Sequence, residues 1–196
     1  GAWKDTGVPC LDISIWCAAE IAGGKSGRNK IKKEPTLWTI VAQITTPTSI
    51  EAALNYNEKK VQRGDAVCLH AGNYLNDARN MNFYQKLNGL ERLNTLNERA
   101  TTKTLHVSLN FSPTEKLNDN KITEIASMYI DKIGFGDQPF IIYKHNDAGH
   151  PHIHIVSTTI RENGSRINTH NIGRNQSEKA RKEIELLYNL VRAEKQ

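Results

Sequence analysis

Apolar positions recur along this chain at two spacings, and the spacing changes several times. Residues 39–45, Thr-Ile-Val-Ala-Gln-Ile-Thr, are rich in β-branched side chains and predict a strand. Thr48-Ser49-Ile50-Glu51 reads as a capping box, with Thr48 as N-cap and Glu51 reaching back. The helix it opens is expected to run to about Gln62 and stop at Gly64, with Ile50, Ala53, Leu54 and Val61 on one stripe. At about 100° per residue, Tyr56 lies well off the centre of that stripe. Ala66 to Ala71 predicts a short strand and Asn73 to Asn80 a loop. Phe83, Leu87, Leu90, Leu93 and Leu96 predict an amphipathic helix from Met81 to about Arg99. Thr104 to Phe111 alternates at period two and ends at Ser112-Pro113, a strand. A second long helix is expected over Lys121 to Ile133, ended by Gly134. Pro139 to Tyr143 and the run from His152 predict a hairpin, because Asp147-Ala148-Gly149 is turn material. A last helix is expected from about Gln176 to Arg192, carrying Ile184, Leu187, Tyr188 and Val191.

Strands interspersed with helices, with a hairpin late in the chain, predict an α/β (α+β) fold: a central antiparallel sheet flanked by helices. Residues 39–196 read as one domain. Residues 1–38 read as an N-terminal extension or flexible basic linker, with Arg28, Lys30, Lys32 and Lys33 adding charge. Gly23-Gly24-Lys25-Ser26 suggests a phosphate loop, but Ala19 stands where that motif needs its first glycine.

Composition narrows the partners. The chain carries 26 basic and 21 acidic residues, a formal charge of +5, which permits an anionic partner such as nucleic acid without requiring one. Cys10, Cys17 and Cys68 form no CxxC pair and suit a reducing cytoplasm better than a disulfide framework. No apolar run approaches the roughly 20 residues of a membrane span, and the start lacks a secretory pattern.

Four of the seven histidines fall between His145 and His154. On a strand, His152 and His154 project to one face while Ile153 and Ile155 enter a core. His145 closes the preceding strand and can swing back beside the pair, giving three imidazoles for one metal with positions left open for a substrate. His150 is displaced by Pro151 and reads as a spare. The plainer alternative is a histidine-rich hairpin edge that binds nothing. Three imidazoles suit manganese, zinc, nickel or cobalt better than magnesium, which favours oxygen ligands.

A histidine-apolar-histidine strand, a third histidine in an upstream H-x-D and a tyrosine in an early helix together resemble the relaxases of conjugative and mobilizable elements. These lie in the MobA/VirD2-like group of the HUH endonuclease superfamily, and the likeness is nearest to Bacteroides-type mobilization proteins. It is carried by Ala53-Leu54-Asn55-Tyr56-Asn57, by Leu105-His106-Val107-Ser108-Leu109-Asn110-Phe111, and by His145-x-Asp147 with His152-Ile153-His154, over roughly residues 40–170. The resemblance implies an HUH relaxase-like palm and a nuclease that nicks single-stranded origin-of-transfer DNA in the cytoplasm. It implies Tyr56 as nucleophile, leaving a 5′-phosphotyrosine and a free 3′-hydroxyl. It also implies Mg or Mn as the working ion (Mn2+ being the better match to imidazoles), accessory mobilization proteins and a coupling protein. Residues 1–38 fall outside it, and a longer C-terminal part is expected of such proteins. Asp147 is expected to orient a ligand histidine through its second ring nitrogen. Glu115 and His106 are weaker candidates for a base. Competing readings are a replication initiator or transposase using Tyr188, a metal-dependent phosphoesterase, and a non-catalytic DNA-binding module.

Overall fold

The computed structural model describes residues 40–190. Within them, five strands form one antiparallel sheet: β1 (Val41–Thr45), β2 (Ala66–Gly72), β3 (Thr104–Asn110), β4 (Phe140–His145) and β5 (His152–Thr158), in the order β1-β3-β5-β4-β2. Helices α1 (Ile50–Arg63), α2 (Phe83–Asn94), α3 (Asp119–Ile130) and α4 (Glu178–Leu187) flank it. The α/β architecture with a central antiparallel sheet is thus the one the patterning predicts. The leader with its glycines and basic residues, Cys10, Cys17 and Val191 lie outside the described residues.

Helix ends follow local chemistry, and several differ from the sequence reading. The N-cap of α1 is Ser49, not Thr48: its side chain accepts from the Ala52 backbone N–H at 3.0 Å. Glu51 therefore sits in the first turn, where its charge meets the positive end of the helix. Gly64 ends α1 in the left-handed conformation (φ 83°), which side chains with a Cβ resist. A complete capping box, Asn82 with Gln85, opens α2. That helix stops at Asn94 rather than Arg99. Asn97 donates to the Gly164 carbonyl and accepts from the Ala100 backbone, bonds that compete with further helix, and Leu96 is left exposed. In α4 only the central residues pack: Ile184 is buried, while Leu187 lies in the open.

Each face of the sheet has its own core. Alternate residues of the middle strands, including Leu105, Val107, Leu109, Ile142, Ile153 and Ile155, pack with Ile122, Ile125 and Tyr129 of α3 and Ile184 of α4. On the other face Ile141, Tyr143 and Val156 meet Ile50 and Leu54 of α1 and Leu87 and Leu90 of α2. Two residues apart along β5, Val156 shares its face with His154 and His152. The histidines therefore point into the α1–α2 side.

Candidate active site

All seven residues of β5 are buried, and β4 pairs beside it so that His145 stands directly opposite His152. His154 pairs with Tyr143 on one side and Ser108 of β3 on the other. His145, His152 and His154 are buried, each offering one nitrogen, and those nitrogens lie within 4.8 Å of one another. The ring centroids of His145 and His154 are 4.1 Å apart, and His152 meets both rings edge-on at 5.2 and 5.4 Å. His150 is not part of the converging group: its ring lies 5.5 Å from that of His152, with its Nε2 3.1 Å from Asn110 Oδ1.

What the far side of each ring touches determines which nitrogen faces the site. His145 Nε2 donates to Asn57 Oδ1 at 2.8 Å, and His145 Nδ1 is buried without a hydrogen-bond partner. His154 Nδ1 is bonded to His106 Nε2 at 3.0 Å, with the two rings stacked. His152 Nδ1 lies 3.4 Å from the His150 carbonyl. His145 Nδ1 and the Nε2 atoms of His152 and His154 are therefore the nitrogens left to converge. Burial, joined by the neighbouring imidazoles and Lys60, pulls all three below the ordinary histidine value, His145 to about 3. Three neutral imidazoles, one with an orphaned buried lone pair, form a donor set that fits a divalent transition metal.

Asn57 was not among the residues the sequence singled out, though a signal was present. Ile50, Leu54, Asn57 and Val61 are spaced four, three and four apart, so Asn57 interrupts the apolar stripe of α1. It is 0% exposed, and its amide donates back to the Ala53 carbonyl at 2.8 Å, which leaves Oδ1 to hold His145. His106 plays the matching part for His154. Burial holds it down to about 4, so it too is a neutral imidazole. These two residues occupy the orienting position expected of Asp147.

Asp147 itself sits differently. Its carboxylate pairs with Lys60 of α1, and Oδ1 stands 3.9 Å from His145 Nδ1 and 3.6 Å from His152 Nε2, beyond hydrogen-bonding range. Burial opposes its ionisation, but the hydrogen bond and charge of Lys60 keep its carboxyl below the usual range. For Lys60, burial is likewise outweighed, here by hydrogen bonds to Asp147 and Tyr56, and its ammonium is held above its ordinary value. Glu115 lies in the turn after β3, its backbone N–H donating to the Ser112 carbonyl.

Tyr56 stands at the rim, half-buried, its ring centroid 6.1 Å from that of His145 and 6.4 Å from that of His154. Tyr188 is on the other side of the sheet. It packs against the α3–α4 core, donates to Glu124 at 2.9 Å and carries Lys121 over its ring. The initiator-like arrangement, with a late tyrosine at the histidines, is therefore not what this fold assembles.

A family model described as the nuclease domain of MobA/VirD2-like relaxases matches residues 56–190, well over half of the chain. The chain belongs to this relaxase family. No curated protein matches it. As a relaxase nuclease domain it is a DNA-nicking endonuclease that works by transesterification on single-stranded DNA. Relaxases usually use a divalent metal, and the cluster of His145, His152 and His154 could hold one. Among the described residues, no helix of the relaxase is long and apolar enough to cross a membrane.

Proposed function

We propose that this domain nicks one strand of origin-of-transfer DNA at a specific site and holds the cut end covalently on Tyr56, initiating mobilization of a plasmid or transposon of the Bacteroides type. The observation that carries the reading is the placement of a half-buried tyrosine beside three converging, neutral histidines on one face of the sheet. Residues 39–196 would form the nuclease domain, with 1–38 as an extension outside it. A DNA substrate puts the work in the cytoplasm, alongside accessory mobilization proteins and a coupling protein.

His145, His152 and His154 would hold Mn2+ or Mg2+, Mn2+ being the better match to three imidazoles. Bound there, the ion supplies positive charge against the non-bridging oxygens of the scissile phosphate. Asn57 and His106 keep two of the rings in the required tautomer and orientation. Tyr56 Oη attacks phosphorus, the P–O3′ bond breaks, and the 5′-phosphate stays on the tyrosine while the 3′-hydroxyl departs. The phosphotyrosine retains the energy of the broken ester, so the same site rejoins strands without ATP. Exposed Arg161, Arg166 and Arg174 beyond β5 offer charge to the DNA backbone.

Incubation of the chain with single-stranded origin DNA and Mn2+ should give a protein–DNA adduct that survives a denaturing gel. Peptide mapping should place the nucleotide on Tyr56. Cleavage without any adduct would make water the nucleophile, as in a phosphoesterase, and would overturn the relaxase mechanism proposed here.

A further inference from the structure

Asp147 stands at the site with no ring to orient. The outward nitrogens of all three histidines are already met, by Asn57, His106 and the His150 carbonyl. The two oxygens of Asp147 face different neighbours. Oδ2 is ion-paired with Lys60 of α1, while Oδ1 stands 3.9 Å from His145 Nδ1 and 3.6 Å from His152 Nε2. Those two nitrogens are the ones that converge, so the carboxylate looks into the centre of the cluster and not onto its back.

Neither approach is a hydrogen bond, and the proton positions say why. His145 gives its Nε2 proton to Asn57, so Nδ1 presents a lone pair, buried without a partner. His152 Nδ1 lies towards the His150 carbonyl, which places its proton there and leaves the lone pair on Nε2. An ionised carboxylate only accepts, and the lysine on Oδ2 favours that form. Three acceptors thus face one spot with no proton among them. Such a group repels itself until a cation lies between its members.

We infer that Asp147 is a fourth metal ligand, its Oδ1 joining the donor set of His145, His152 and His154 while Oδ2 stays with Lys60. The inference rests on the three-histidine cluster being the metal site. Metal bonds of about 2.0–2.2 Å set neighbouring donors roughly 3.0–3.5 Å apart on one ion. At 3.6 and 3.9 Å, Oδ1 is already near that spacing from two rings, and the histidine nitrogens are themselves spread over as much as 4.8 Å. A carboxylate also alters which ion is preferred. Imidazoles favour the later transition metals, whereas an anionic oxygen is the hard donor that Mn2+ and Mg2+ select. Four protein donors leave two positions of a six-coordinate ion for oxygens of phosphate or water.

The test titrates Mn2+ and Ni2+ calorimetrically into the full chain without DNA, and records the visible absorption of the Co2+-loaded protein. Asp147→Ala should lose Mn2+ affinity about 100-fold, at or beyond the upper end of what removing an outer partner costs. Ni2+ affinity should fall less, since imidazoles carry more of its binding. The Co2+ bands should move in position and intensity, because the ligand set itself has changed. Mn2+ affinity within about threefold of wild type overturns the assignment. So does weaker binding with unmoved Co2+ bands, which would make the carboxylate a nearby charge and not a ligand. Equal losses for the two ions overturn the preference ascribed to the oxygen. If Asp147→Ala does not fold, Asp147→Leu, close to the carboxylate in size and without a donor, carries the same comparison. Full Mn2+ affinity in His154→Ala would fell the three-histidine site itself. Loss of affinity in His154→Ala with none in Asp147→Ala removes only the role given to Asp147.

Discussion

On the α3–α4 face, strands β3, β4 and β5 turn inward Leu105, Val107, Leu109, Ile142, Ile153 and Ile155. On the α1–α2 face the same strands turn inward His106, Ser108, Tyr143, His145, His152 and His154, and each polar group there needs a partner. Tyr143 donates to Glu58, His145 to Asn57, and His154 meets His106. The first face is held mainly by burial, which is non-directional and tolerates exchange of one apolar shape for another, with Tyr129 and Ser177 sharing a buried hydrogen bond. The second adds to its apolar core specific hydrogen bonds, whose loss strands a buried polar group. Stability and chemistry are thereby divided between alternate residues of the same strands, and each tyrosine belongs to one side.

The sharpest way to break this division is to exchange the tyrosines. Tyr56→Phe should bind Mn2+ and origin DNA yet form no adduct, while Tyr188→Phe should form it at the wild-type rate. Adducts persisting in Tyr56→Phe and lost in Tyr188→Phe would reverse the roles of the two faces. Next in size, His152→Ala or His154→Ala should abolish nicking and weaken Mn2+ binding in calorimetric titration, because each removes one of three ligands. His150→Ala should change little, and full metal affinity in His154→Ala would discard the site. A smaller effect is expected one step out from the ligands. Asn57→Leu should weaken Mn2+ binding roughly 10–100-fold, whereas Asn57→Asp keeps an acceptor for His145 and should stay much closer to wild type. On the opposite face, Ile125→Ala should destabilise the fold by about 2–5 kcal/mol in denaturant titration while leaving the Mn2+ affinity unmoved. A matching fall in metal affinity would show that the two faces are not independent.

The convergence of the three histidines was legible in the sequence because it depends on one local rule. Period two puts His152 and His154 on one side, and the turn at Asp147-Ala148-Gly149 returns His145 beside them. The placement of Tyr56 off the apolar stripe was legible for the same kind of reason. The rest depends on contacts between distant segments, which no local period encodes. Asn57 is separated from His145 by 88 residues, and Lys60 from Asp147 by 87. An Asp two residues from a histidine looks like its natural partner, but a lysine on another element took the carboxylate first. Helix ends missed by a residue or more, as at Ser49 and Asn94, reflect side-chain bonds that outcompete the next helical turn.

The pairing of His145 with His152 also decides where this chain tolerates changes of length. Ladder hydrogen bonds fix the two ligands from below, so the turn at 146–151 can gain or lose residues at its tip while both rings keep their positions. Helix α1 has no such freedom. Tyr56 and Asn57 both meet His145, Glu58 meets Lys86 and Lys60 meets Asp147, all within little more than one turn. A single inserted residue ahead of them would rotate all four by about 100° and misplace every contact together. Descendants of this sequence are therefore free to diversify at the hairpin tip, and bound to keep the length of α1.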